Sequence, residues 1–477
     1  MDRLSTLDAE FLHLEDGITH MHIAGISVFE PPVPSVEDVV ALLASKLDRI
    51  PRYRQRVRTV PLELGRPVWV DDPHFNLDYH VRHTGLPGGG GDLALRRLMG
   101  RLMSQPLDRD RPLWEAWVVE GLEDGRWAII SKVHHCMVDG ISGVDLLSAL
   151  LDLEPSAEPV VPSPWEPEPD PSSVGLVVDA WQGLAGELGR WAGRAVDVTR
   201  HPGGALDRAR HLGAGLVEFG RHLGTTPPLS IEGSIGPHRT WAHSTVAFDD
   251  IRATRRALGG TVNDVVLTAV TGGYRRLLDH RGDDLDDAVV RTLVPVSVRG
   301  EARDTPDNRV SAILYELPIH ELDPVARLAR VRDEMGALKE SHMAEAGEFV
   351  TGLGEIAPPM LLSTGTRLTT RLMRKLPQRS INTVTTNVPG PQFPLYCLGR
   401  EMVAYLPFVP LSEGVRVGTA ILSYNGTMSF GVTGDYDTAP DVAVLADAIA
   451  DEVAVLRARA ADADADADNP TTASPSA

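Results

Sequence analysis

The segment Lys132-Val133-His134-His135-Cys136-Met137-Val138-Asp139-Gly140 sets two histidines, a carboxylate and a glycine side by side. Imidazole titrates near neutrality, so a neutral ring nitrogen there can take a proton from an incoming nucleophile, a contribution of roughly 10²–10⁴-fold in rate. The base has to be oriented. Asp139, four residues after His135, can hold that histidine or the turn that carries it, and Gly140 supplies backbone freedom at the bend. Three other readings use the same atoms. His134, His135, Cys136 and Asp139 are all zinc-competent types, but crowding them into six residues makes one tetrahedral site awkward, and no C-x-x-C or H-E-x-x-H cluster supports it. No metal is therefore expected. A lone Cys136 before an apolar pair reads as a small buried hydrophobe rather than a nucleophile, and both histidines could be purely structural.

The elements that would position these groups follow from the flanking pattern. Arg126 to Val133 is a β-branched and aromatic run without a breaker, which predicts a strand. From Ile141 to Leu153, Val144, Leu147, Leu150 and Leu151 recur at helical spacing, which predicts a helix. The histidines then lie at a strand-to-helix junction. His74-Phe75-Asn76-Leu77-Asp78 has the same H-x-x-x-D spacing but lacks the paired histidine, the glycine and the helix, and reads as scaffold. The run Gly88 to Gly91 has no Lys-Ser or Lys-Thr after it, so it is read as a loop ending in Asp92 as a helix cap.

The histidine segment resembles the HHxxxDG motif of the coenzyme A-dependent acyltransferase superfamily. Six further blocks, in order, resemble the bacterial wax ester synthase/diacylglycerol acyltransferase family: Leu4 to Leu12, Met21 to Gly25, Pro106 to Glu115, Thr261 to Leu267, Val294 to Arg299, and Asn387 to Pro391. At Asp307-Asn308 the chain departs from the Gly-Asn of many relatives. The resemblance implies an α/β fold of two chloramphenicol-acetyltransferase-like lobes with the active site in a channel between them. It makes His135 the general base, with His134, Asp139 and Gly140 supporting the motif. Asp139 would hold its loop through backbone amides or an arginine, with Arg299 the candidate. Asn263 and Asp264 would form a second element, donating to an oxyanion or ordering the facing loop; their local chemistry alone favours a helix cap. No acyl-enzyme is implied, in keeping with the lack of a G-x-S-x-G elbow.

Length and composition bound the rest. With 477 residues, 43% of them hydrophobic, the chain can bury a large core. Two cysteines, Cys136 and Cys397, are too few for a disulfide framework. A net charge of −20 argues against non-specific nucleic-acid binding. No signal peptide and no membrane span is read, so a cytoplasmic protein, peripherally associated with a membrane or lipid bodies, is expected. Arg367, Arg371, Arg374, Lys375 and Arg379 form a basic cluster that reads as a solvated helix face, a membrane contact or a CoA phosphate contact.

Residues 1–153 are expected to form one lobe, followed by a proline-rich linker and helical crossover over 154–234. In that crossover Val177, Trp181, Leu184, Leu188 and Trp191 form an apolar stripe read as core packing. Residues 235–457 make the second lobe, closing on a hairpin at Asn425-Gly426, and 458–477 a disordered Ala/Asp tail. The function expected is acyl transfer from acyl-CoA, used as substrate with no cofactor, to diacylglycerol, and also to long-chain fatty alcohols. The alternatives are a catalytically silent lipid-binding homologue and a carrier-protein-dependent condensation-type acyltransferase.

Overall fold

The computed structural model describes residues 2–87, 90–137, 151–156, 164–182, 227–297, 310–340 and 380–468. In the N-terminal half, helix α1 (Thr6–Leu14) starts where the Ser5 hydroxyl accepts the Asp8 N–H at 3.1 Å. Strand β1 (His22–Phe29) and helix α2 (Val36–Lys46) follow, the latter capped by Ser35. Next come β2 (Val81–Gly85), α3 (Asp92–Met103), β3 (Trp114–Glu120) and β4 (Trp127–His134). A small sheet of Asp2–Arg3, Gln55–Arg58 and Val68–Asp71 lies beside them, covered by Leu176 and Ala180 of a helix at 173–182.

The C-terminal half holds β5 (Arg239–Ala247), α4 (Phe248–Leu258), α5 (Val262–Arg281), β6 (Val290–Ser297), β7 (Val310–Leu317) and α6 (Pro324–Glu340). It continues through β8 (Thr383–Pro389), β9 (Tyr396–Cys397), β10 (Arg400–Phe408), β11 (Val417–Tyr424), β12 (Thr427–Asp435) and α7 (Val442–Asp468). Its sheet runs β7-β6-β8-β11-β12-β5, with β6, β8 and β11 mutually parallel. Val266, Val270 and Tyr274 of α5 and Leu445 and Ile449 of α7 pack with Ile421, Phe430 and Val432 of that sheet. Each such side chain contributes about 1.5–3 kcal/mol on burial. The turn between β11 and β12 is the hairpin read from Asn425-Gly426, both residues having positive φ, 39° and 81°.

The N-terminal sheet runs β9-β10-β1-β4-β3-β2. Strands β9 and β10 therefore come from the C-terminal half of the chain, and the boundary placing all of 235–457 in one lobe is corrected for Tyr396–Phe408. The pairing is possible because Gly25 of β1 has no side chain: a Cβ there would lie 2.4 Å from the Tyr405 ring. Helix α3 makes the other junction. A Cβ on Gly100 would sit 2.6 Å from the Arg239 carbonyl oxygen, so only glycine lets α3 approach β5 this closely.

Several further expectations are corrected. Leu151–Leu153 are not helical, because Asp152 forms an isolated antiparallel bridge with Tyr396. Residues 138–150, on which most of the expected helix and both Asp139 and Gly140 fall, lie outside the described residues. The Ala/Asp run is helical as far as Asp468, continuing α7, with Ala460 fully buried. Alanine is the best helix former, and a helix already docked upstream needs no new nucleus to extend. The cap before α3 is Gly91. Asp92 is instead the first helical residue, its carboxylate drawn to His243 across the lobe junction at 2.7 Å and to Arg96 at 2.5 Å. In the helix at 173–182, Leu176 and Ala180 face the sheet while Trp181 is 59% exposed, so Trp181 does not belong to a core stripe. Leu184, Leu188 and Trp191 lie outside the described residues, as do Arg299, the Asp307-Asn308 turn and the basic cluster at 367–379. Where described, the linker from Glu154 on is coil and largely exposed, with Trp165 against Arg54 and Phe75.

Candidate active site

Strand β4 ends on His134, and His135 opens a short 3₁₀ turn, His135–Met137. Backbone bonds fix the junction on both sides. The His134 N–H donates to the Leu113 carbonyl at 2.9 Å and the His135 N–H to the Met21 carbonyl at 2.8 Å. Phe11 of α1 lies over the His135 ring, with centroids 4.1 Å apart. The segments Leu4–Leu12, Met21–Gly25 and Pro106–Glu115, distant in sequence, thus meet at one turn.

The two histidines have opposite surroundings. His134 is fully buried: its Nδ1 accepts the Cys136 N–H at 3.2 Å, which leaves the ring proton on Nε2, 3.6 Å from the Glu15 carboxylate. At that distance the contact is electrostatic rather than a hydrogen bond. His135 is half-buried and sits at the start of the turn, just beyond the end of β4. His134 therefore holds the turn, and His135 is the imidazole the turn presents.

Glu15, immediately after α1, is the group that sequence reasoning missed. Arg109 donates to it at 2.6 Å and to the Leu12 carbonyl at 2.8 Å. Burial pushes the Glu15 pKa up, but His134 and then Arg109 outweigh it and hold the carboxyl at about 2. Arg109 belonged to a recognised block, but nothing local singled out a carboxylate three residues beyond the end of another. Beneath the turn, Lys132 is fully buried with its ammonium on the Leu102 and Gln105 carbonyls, and burial, aided by Arg82, brings its pKa down to about 8 against Glu115 and Glu15. His22, paired with His134 across the strands, donates from its Nε2 to the Met103 carbonyl at 2.9 Å; burial drives its pKa well below the ordinary value. The carbonyl is an acceptor only, so His22 Nε2 carries the proton. Burial likewise pushes the Cys136 thiol up, which removes it as a nucleophile. Among the described residues no group of three His, Cys, Asp or Glu side chains is arranged to hold a metal.

Asn263 and Asp264 lie at the start of α5, in the other lobe. Asp264 closes a capping box: its carboxylate accepts the Thr261 N–H at 2.8 Å and its own N–H donates to the Thr261 hydroxyl at 3.2 Å. With a carboxylate so committed, Asp264 orders the helix start and is not an oxyanion donor. Asn263 is different. Its Oδ1 accepts from Asn387 of β8 at 3.1 Å, which leaves its own N–H₂ without a partner among the described residues. The blocks Thr261–Leu267 and Asn387–Pro391 are thereby brought together. No hydrogen bond or ion pair among the described residues joins either histidine to Asn263 or Asp264. The His74–Asp78 segment is a partly exposed turn that runs into the one-turn helix Leu77–His80, with the His74 N–H on Asp72 and the Asp78 N–H on the capping Asn76.

Two six-stranded sheets, the first completed by two strands from the other half of the chain and carrying the histidine turn at the end of one of its own strands, make up a two-lobed α/β fold. The first condensation domain of the CDA synthetase shares it, at TM-score 0.57 and 16% identity over 96% of each chain. A wax ester synthase/diacylglycerol acyltransferase from Marinobacter aquaeolei VT8 superposes at TM-score 0.65 with 26% identity, covering 96% of this chain and 100% of that one. The pattern of the wax ester synthase/diacylglycerol acyltransferase catalytic domain matches residues 4–266, and that of the WS/DGAT C-terminal domain residues 307–457. A probable diacylglycerol O-acyltransferase, tgs1, of Mycobacterium tuberculosis is 37% identical over 460 residues, 96% of each chain. A putative diacylglycerol O-acyltransferase of the same species, Rv3087, is 32% identical over 443 residues, 91% of this chain and 92% of that one. The chain belongs to the wax ester synthase/diacylglycerol acyltransferase family and is an acyltransferase.

Proposed function

We propose that the chain transfers a long-chain acyl group from acyl-CoA to the hydroxyl of diacylglycerol, giving triacylglycerol, and accepts long-chain alcohols as second substrates. The observation that carries this reading is the half-buried His135 imidazole, held by Met21 and Phe11 at the end of β4 beside a His134 committed to structure. His135 takes the acceptor O–H proton as the oxygen attacks the thioester carbonyl. The tetrahedral oxyanion collapses with cleavage of the C–S bond, and the imidazolium returns its proton to the departing CoA thiolate. The products are an ester and CoA thiol, and no covalent enzyme intermediate is needed. The Asn263 N–H₂, which has no partner among the described residues, supports a role as oxyanion donor, a contribution of roughly 2.7–4 kcal/mol.

The acceptors are water-insoluble, so the enzyme has to meet them at a lipid surface. Among the described residues no helix is long and apolar enough to cross a membrane. Val174, Val178 and Trp181, 73%, 49% and 59% exposed, lie along one side of the helix at 173–182 and support peripheral docking on a membrane or lipid body from the cytoplasmic side. The test supplies the purified chain with palmitoyl-CoA and either dioleoylglycerol or hexadecanol while free thiol and labelled lipid are followed. Triacylglycerol or wax ester formation is expected. Release of no ester with any hydroxyl acceptor would overturn the reading.

A further inference from the structure

Between the lobes, α3 and β5 form the walls of an open groove of about 940 Å³. Arg96, Arg97, Arg101, Arg239 and His238 line it, and among the described residues no carboxylate does. This is a local inversion in a chain of net charge −20. Two of the arginines have structural work. Arg96 pairs with Asp92, and Arg239 is buried with its guanidinium on the carbonyls of Ile18, Gly236 and His238. Arg97 and Arg101 are exposed, one helical turn apart on the same face, and neither has an acidic partner among the described residues. Residues at that spacing have Cβ atoms about 5–6 Å apart, so two guanidinium forks can converge on one phosphate or grip two neighbouring ones. On the opposite lobe Tyr436, 58% exposed, presents its ring beside His238, centroids 6.3 Å apart. The inner end of the groove reaches Ser104 and Gln105, and the adjacent carbonyls of Leu102, Met103 and Gln105 hold Lys132 and His22, on the strands that lead to the histidine turn.

We infer that this groove holds the phosphates at the nucleotide end of the acyl donor, with Arg97 and Arg101 as their counter-charges and Tyr436 as the surface on which the base stacks. The inference rests on the acyl-CoA reading above. A phosphate recognised by paired arginines could equally belong to an anionic phospholipid headgroup, and the arms of the test separate the two.

The full chain is titrated calorimetrically with CoA and with adenosine 3′,5′-bisphosphate, comparing wild type, Arg97→Glu/Arg101→Glu and a control, Arg255→Glu/Arg256→Glu, that makes the same charge change away from the groove. Thermal melts of all three check folding. The groove variant is expected to bind both ligands at least about tenfold more weakly, while the control stays close to wild type. Its KM for palmitoyl-CoA should rise in proportion, with kcat at saturation within about twofold. Sedimentation with phosphatidylglycerol vesicles, against phosphatidylcholine vesicles, forms the lipid arm. Unchanged CoA and bisphosphate affinity overturns the inference, whether or not vesicle binding falls. A chain that binds the bisphosphate through these arginines but makes no ester upholds the groove and overturns only the proposed reaction.

Discussion

The histidine turn and the start of α5 are each a meeting point of separate sequence blocks, but they are built from different materials. At the turn, three blocks converge through backbone bonds and a tilted ring contact, over a layer of ionisable side chains held away from solvent: Glu15, Lys132, His22 and His134. At α5, two blocks meet through a neutral amide pair, Asn263 with Asn387, while the carboxylate next door is spent on a cap. Buried charge is costly unless paired, so the first arrangement fixes one geometry firmly. The second leaves a neutral donor without a partner among the described residues. The proposed base needs a fixed position and the proposed oxyanion donor needs to meet charge only as it develops, and the two supports fit those two proposals.

That contrast can be broken in stages. The largest effect short of the base itself is expected from Asn263→Ala, which removes the free amide: kcat should fall by roughly 10²–10³-fold with KM little changed. Steady-state kinetics on palmitoyl-CoA and dioleoylglycerol check it, and a change confined to KM would take Asn263 out of the oxyanion role.

Next comes Glu15, whose removal leaves His134 and Arg109 without their shared carboxylate. Its folded pKa, at about 2, lies below the ordinary carboxyl value of 4.5. A depressed carboxyl pKa means that the native state favours the ionised form, so its contribution is full above about pH 4.5 and is lost as pH falls toward 2. By linkage this amounts to about 3 kcal/mol. Glu15→Gln should lower stability near neutral pH and flatten its decline between about pH 4.5 and 2, measured by urea melts across that window. An unaltered slope would remove Glu15 from the support of the turn.

The smallest effect belongs to Asp264→Ala, which opens the capping box at a cost of about 1 kcal/mol, within the usual range of roughly 0.5–2. Denaturant melts should show that loss, with kcat reduced far less than in Asn263→Ala. Equal kinetic damage from both would merge the two roles.

Much of this was open to reading along the chain. The strand before His134 is legible in its β-branched run, the hairpin in Asn425-Gly426, and the start of α5 in Thr261 and Asp264, because each depends on residues near in sequence. What stays hidden depends on distant partners. β10 reads as a strand anywhere, and its place beside β1 is set by Gly25 making room for Tyr405. Glu15 carries no local mark, since its pairing with Arg109 and its approach to His134 exist only after α1 docks. The Ala/Asp run reads as disordered by composition alone, and its helix to Asp468 comes from the docked helix that it extends.

The central claim is that adjacent histidines divide the labour, His134 supporting and His135 reacting. The most direct measurement sets His134→Ala and His135→Ala side by side, recording melting temperature and the rate of thiol release with palmitoyl-CoA and dioleoylglycerol. His135→Ala should keep the wild-type melt and lose at least about 10²-fold in turnover, whereas His134→Ala should melt at lower temperature. Retained turnover in His135→Ala, with the fold intact, would contradict the account.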